Sequence, residues 1–189
     1  CGSSFIVFLY IIAPRNTEEF KSVGQNETSI TLQWNNLKKI FNYTLVFNEK
    51  EINVPASEEP LLTQTITELT SGIKYELCLF TVFENVNSTG VNYTAVTAPR
   101  NAEELESVGQ NETSITLQWR KVNAILNYTL VINTSMINVS ASEGFDKVKY
   151  VISNLTSGTK YNVSLLTVFE NVKSTGVNYF ADTGKISPL

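Results

Sequence analysis

Ten Asn-x-Ser/Thr triplets are the part of this sequence with a recognisable chemistry, because the side-chain amide nitrogen of such an Asn can carry an N-linked glycan. They start at Asn26, Asn42, Asn87, Asn92, Asn111, Asn127, Asn133, Asn138, Asn154 and Asn162. The chain has 20 Asn, and Ser and Thr together make up about a fifth of it, so chance would supply about 4 such triplets. The excess points to a secreted or cell-surface setting.

Other chemistry is hard to build from these residues. There is no histidine, which removes the commonest general base and metal ligand. The cysteines are Cys1 and Cys78, and neither lies in a Cys-x-x-Cys or a Cys-x5-Arg phosphate cradle. Glu18, Glu19, Glu103, Glu104 and Glu106 could be offered as a calcium site, but no Asp-x-Asp spacing accompanies them. They read as the solvated charges of an edge strand, which discourage pairing with other chains. No catalytic, metal or cofactor site is expected. A net charge of −4 leaves no basic footprint for nucleic acid or anionic lipid, and no small-molecule substrate is expected.

The elements that must present the asparagines are legible from a repeat. Ser22 through Trp34 returns unchanged as Ser107 through Trp119, 85 residues later, which is the size of a small domain rather than a solenoid unit. Ile30, Leu32 and Trp34 alternate with Thr31 and Gln33, the period-2 pattern of a strand with one buried face. Ile115, Leu117 and Trp119 do the same. Each Trp can remove roughly 150–250 Å² from water and serves as the centre of its copy. The duplicated strands account for Asn26 with Asn111 and Asn42 with Asn127, but Asn133, Asn138 and Asn162 have no counterpart in the first copy.

In chain order, a first strand runs from Glu18 to Val23 and turns at Gly24–Asn26 into the Trp strand. The next, Phe41 to Phe47, puts Tyr43, Leu45 and Phe47 inward, and Leu126 to Ile132 repeats it around Tyr128. Strands follow near Ile52–Val54 and Leu62–Ile66. Leu69-Thr-Ser-Gly72-Ile-Lys-Tyr75 and Leu155-Thr-Ser-Gly158-Thr-Lys-Tyr161 each place a packing Leu, a turn Gly and a Tyr whose hydroxyl can return to the turn backbone. The strand begun by Tyr75 sends Tyr75, Leu77 and Leu79 one way and Glu76, Cys78 and Phe80 the other. A loop, Asn85–Gly90, leads to a last strand, Val91–Thr97. On this parity Asn42, Asn127 and Asn162 face water, which makes them the best glycan sites. No segment has helical periodicity over three turns, so the fold is all-β.

Trp34, Tyr43, Leu69-x-x-Gly72-x-x-Tyr75 and their repeats Trp119, Tyr128, Leu155-x-x-Gly158-x-x-Tyr161 resemble the marks of the fibronectin type III family. That resemblance implies two seven-stranded Greek-key β-sandwiches in tandem, residues 14–98 and 99–184, with a lead-in at 1–13 and a tail at 185–189. The repeated wording Gln-Asn-Glu-Thr-Ser-Ile-Thr-Leu-Gln-Trp, Leu-Thr-Ser-Gly-x-Lys-Tyr and Thr-Val-Phe-Glu-Asn-Val is also similar to ectodomain repeats of receptor-type tyrosine phosphatases of the eta, beta and H kind. Any catalytic part would then lie elsewhere in a parent chain. Neither Asn85–Gly90 nor Asn171–Gly176 holds the Arg-Gly-Asp of integrin-binding members, and the paired cysteines and Trp-Ser-x-Trp-Ser of cytokine receptors are absent.

Position 78 corresponds to Ser164, so no disulfide framework is shared by the copies. The apolar stretch Phe5–Ala13 is too short to span a bilayer. It reads as the end of a preceding repeat, the remnant of a signal sequence, or a consequence of where the chain is cut. The join at Ala98–Ala102 contains Pro99 and no Gly-Ser run, so a stiff connection with the copies end to end is expected. The function implied is a non-catalytic extracellular spacer and protein-interaction module of a receptor or adhesion protein, or alternatively of a secreted matrix protein. Outward apolar residues Phe80, Val82, Leu166 and Val168 are the candidate face for a protein partner.

Overall fold

The computed structural model describes residues 12–37, 40–122 and 125–185. Cys1, nearly all of the lead-in and most of the tail lie outside the described residues. Every described element is a strand, and the chain divides into two compact units.

The first unit is built around β1 (Lys21–Gln25), β2 (Ile30–Asn35), β3 (Asn42–Phe47), β4 (Lys50–Val54), β5 (Leu61–Ile66), β6 (Lys74–Phe83), β7 (Val86–Asn87) and β8 (Val91–Val96). β1-β2-β5 form one antiparallel sheet and β4-β3-β6 the other, extended by β7 and by β8, which also pairs with β6. Seven main strands in two sheets, with the two-residue β7 as an extra, make the expected Greek-key sandwich. The period-2 pattern of β2 decides its core face: Ile30, Leu32 and Trp34 are buried, whereas Thr31 and Gln33 are half-buried on the other side. Trp34 meets the ring of Tyr43 edge-on at 5.6 Å and Phe20 at 6.2 Å, so one aromatic cluster joins the sheets.

The second unit repeats the plan. Its strands are β9 (Glu103–Gln110), β10 (Ile115–Arg120), β11 (Asn127–Ile132), β12 (Ser135–Ser140), β13 (Lys147–Ile152), β14 (Lys160–Phe169), β15 (Val172–Lys173) and β16 (Val177–Asp182). Trp119 and Tyr128 stack edge-on at 5.4 Å, surrounded by Ile115, Leu117, Leu130, Val163 and Leu165.

Two expectations need correction. The first strand starts at Lys21 and not Glu18, and Glu19 just before it takes a left-handed φ of 58°, outside the extended region that regular strand pairing uses. Its register with β2 also slips at Val23, and such a bulge on an edge strand discourages pairing with other chains. The stretch Asn85–Gly90 is not a simple loop. Phe83 pairs with Val86 and Val82 with Asn87, and the two residues between, Glu84 and Asn85, have φ 47° and 64°, the left-handed pair that closes a tight hairpin. Glu170 and Asn171 repeat it at 47° and 66°.

Candidate functional site

The aromatic core positions everything above it. Tyr43 accepts the backbone N–H of Leu37 at 2.9 Å and donates to Asn36 Oδ1 at 3.1 Å. Tyr128 accepts from Val122 N–H at 2.9 Å and donates to the Ile125 carbonyl at 3.3 Å. Burial pushes both phenols above their ordinary range, opposed by those backbone bonds. At the corner, Tyr161 accepts the Thr156 N–H at 2.8 Å, the bond its position after Gly158 implies. Tyr75 and Leu69 are buried, while Leu155 is half-buried and packs against the edge of the core cluster.

All ten triplet asparagines are exposed. Asn26 and Asn111 lie in turns, where their Oδ1 atoms accept the N–H of Thr28 at 2.8 Å and Thr113 at 2.9 Å. Asn42 accepts the Ala56 N–H at 2.8 Å. In these bonds the oxygen is used and the nitrogen that would carry a sugar is not. Asn87 and Asn92 flank the return from the β6–β7 hairpin, Asn133 sits in the β11–β12 turn with φ 54°, and Asn154 precedes the corner with φ 62°. Asn162 on β14 lies opposite Phe180 on β16.

Phe80, Val82, Leu166 and Val168 face outward but are half-buried, so they are not the open apolar strip the alternation suggests. Part of the cover over Phe80 is Gly90, whose φ is 84°. A Cβ there would stand 2.8 Å from both the Phe80 ring and Cys78 Sγ, closer than atoms pack. Cys78 is a free, half-buried thiol, and burial pushes its pKa up, away from the thiolate form that reacts.

A clamp that the sequence pattern did not show holds this return in both units. Asn16 Oδ1 accepts the Gly90 N–H at 2.9 Å while its Nδ2 donates to Thr89 at 2.8 Å. Asn101 accepts from Gly176 at 2.7 Å and donates to Thr175 at 2.8 Å. The only sequence trace is that Pro-Arg-Asn and Ser-Thr-Gly occur once in each copy.

Glu19, Glu104 and Glu106 engage cations of the chain itself. Glu104 pairs with Arg120 and, at 3.5 Å, with Lys147, which also reaches Glu106 at 3.8 Å; Glu19 pairs with Lys21 at 3.2 Å. Among the described residues no group of three or more His, Cys, Asp or Glu could hold a metal ion, and no helix is long and apolar enough to cross a membrane.

Residues 97–177 match the family model described as fibronectin type III domain. The chain is similar to tenascin of Gallus gallus, 29% identical over 163 residues, which is 82% of this chain and 9% of that protein. It is also similar to tenascin-R of Homo sapiens, 24% identical over 164 residues, 82% of this chain and 12% of that protein. A two-domain fibronectin type III segment from chicken tenascin shares the fold, with a TM-score of 0.50 at 18% identity over 89% of this chain and 99% of that one. The chain therefore spans about a tenth of the length of these curated relatives. Since the relatives are tenascins, they lend no support to the narrower resemblance to receptor-type tyrosine phosphatases. The fold is that of two β-sandwiches of the fibronectin type III kind, one after the other along the chain.

Proposed function

We propose that this fibronectin type III tandem is an extracellular, non-catalytic spacer and protein-interaction module, with residues 14–98 and 99–184 as autonomous domains. The observation that carries it is the exposure of all ten triplet asparagines, including those on strands whose neighbours are fully buried. A glycan needs such a wet face, and a chain never passing through the secretory route has no use for the excess.

Of the two settings, a secreted matrix protein is favoured by the likeness to tenascin and tenascin-R. A receptor ectodomain, including that of a receptor-type phosphatase, rests on the wording of the repeats alone. The partner is a protein met outside the cell, recognised by loops and sheet faces that vary without disturbing the core.

The test is to immobilise the secreted, glycosylated tandem and measure adhesion of cells and binding of matrix proteins, beside a charged substitution at Phe80. Specific binding that the variant lowers without loss of folding supports both the module and the face. Binding left unchanged removes Phe80 from the partner surface, and no binding above an unrelated sandwich domain contradicts the interaction role.

A further inference from the structure

β11 and β12 bring two glycosylation triplets together in an arrangement that neither shows alone. Asn127 faces Ser140 and Thr129 faces Asn138 across the ladder, so each triplet's Asn lies opposite the hydroxyl residue of the other. Ser140 Oγ donates to Asn127 Oδ1 at 3.3 Å and Thr129 Oγ1 to Asn138 Oδ1 at 3.2 Å. Both bonds engage the amide oxygens and hold the asparagines side by side on the outer sheet face.

Beside them lies a groove of about 790 Å³, lined by both asparagines together with Met136, Val168, Phe169 and Lys173. Met136 is 68% exposed on strand β12, where a polar side chain would cost nothing. The first copy has one there. Residues 51–58 read Glu-Ile-Asn-Val-Pro-Ala-Ser-Glu and residues 136–143 read Met-Ile-Asn-Val-Ser-Ala-Ser-Glu. The two segments differ at two positions only. Ser140 in place of Pro55 completes the acceptor triplet at Asn138, and Met136 in place of Glu51 puts an apolar side chain beside it.

The same pairing of changes recurs across the sheet. In the first unit Thr94 donates to Glu76 at 2.8 Å. The corresponding positions in the second unit are Asn162, a triplet Asn, and Phe180 opposite it, which is 60% exposed. Twice, the second copy has a glycan acceptor with an exposed apolar neighbour where the first copy has neither. An N-acetylglucosamine ring has an apolar face of C–H groups and an acetyl methyl, the chemistry that covers a thioether or an aromatic ring, while its hydroxyls can meet groups such as Lys173 at the rim.

We propose that the groove is the seat of the chain's own N-linked glycan: the sugar on Asn138 lies along the sheet over Met136, Val168 and Phe169 rather than extending into solvent. In the second copy this face is then shielded by sugar and is not open to a protein partner. The inference rests on the extracellular reading.

Met136 is the chain's only methionine, which gives a built-in reporter. The full chain is secreted from a glycosylating host, and peroxide oxidation of Met136 is timed in the glycoprotein and in two variants. Asn138→Gln removes the attachment atom, and Ser140→Ala removes the triplet while keeping the Asn138 amide. Unchanged circular dichroism checks folding. The expected result is oxidation several-fold slower in the glycoprotein than in either variant, with Asn127→Gln leaving that protection in place. An occupied Asn138 with no slowing overturns the proposal. Glycans found on other triplets but absent from Asn138 overturn it while leaving the extracellular reading intact, and a chain bearing no sugar at all overturns both.

Discussion

The hydroxyl of Tyr161 accepts the backbone N–H of Thr156 at 2.8 Å, so one side chain both packs under the β13–β14 corner and ties its backbone. The ring and the bond are separable. Tyr161→Phe keeps the packing and leaves the Thr156 N–H to water, at a cost of about 1 kcal/mol. In a domain of this size the melting temperature of the second unit should fall by about 4–8 °C. A shift within error would show that the bond contributes nothing to the corner.

Trp34 is fully buried against Tyr43 and Phe20. Truncation to Ala should cost about 3–5 kcal/mol, a large part of what a small domain has. Amide exchange should then show the first copy unprotected and the second still protected. Loss of protection in both would contradict their description as autonomous domains.

Asn101 links the start of the second copy to Gly176 and Thr175. Asn101→Ala should speed exchange at the Gly176 amide and destabilise the unit by about 1–2 kcal/mol. Asn101→Asp keeps an oxygen for the Gly176 N–H and should lose less. Equal loss in both variants would mean that the Gly176 bond is not the operative one.

The buried phenols predict an alkaline limit. Burial raises Tyr43 and Tyr128, against the smaller opposing pull of their backbone bonds. The folded state therefore holds these protons more tightly than the unfolded chain does. That contribution is complete below the ordinary tyrosine pKa of about 10 and is lost as pH rises above it. Melting temperature followed from neutral pH into the alkaline range should begin to fall there, and Tyr128→Phe should flatten the fall for the second unit. A slope unaltered by the variant would assign the alkaline loss to other groups.

Much of this was legible in the residues because their pattern is local. Ile30-Thr-Leu-Gln-Trp34 alternates and is repeated unchanged, so strand, core face and domain period follow from it, and the spacing of Gly158 and Tyr161 carries the corner. What stayed hidden depends on register or distance. Asn16 and Gly90 are far apart in the chain, and no spacing rule connects them. The triplets at Asn127 and Asn138 can each be seen, but their mutual bonds require knowing that Thr129 lies opposite Asn138. The β6–β7 hairpin has no such local mark, because its turn is Glu84-Asn85, whereas left-handed backbone is usually marked by a Gly.

The central claim is an extracellular, glycosylated tandem, and intact-mass analysis of the full chain secreted by a glycosylating host tests it most directly. The account predicts a ladder of hexose-containing species that collapses on enzymatic removal of N-glycans, with Asn42, Asn127 and Asn162 among the occupied positions. A secreted chain found only at the mass of its unmodified polypeptide would contradict it.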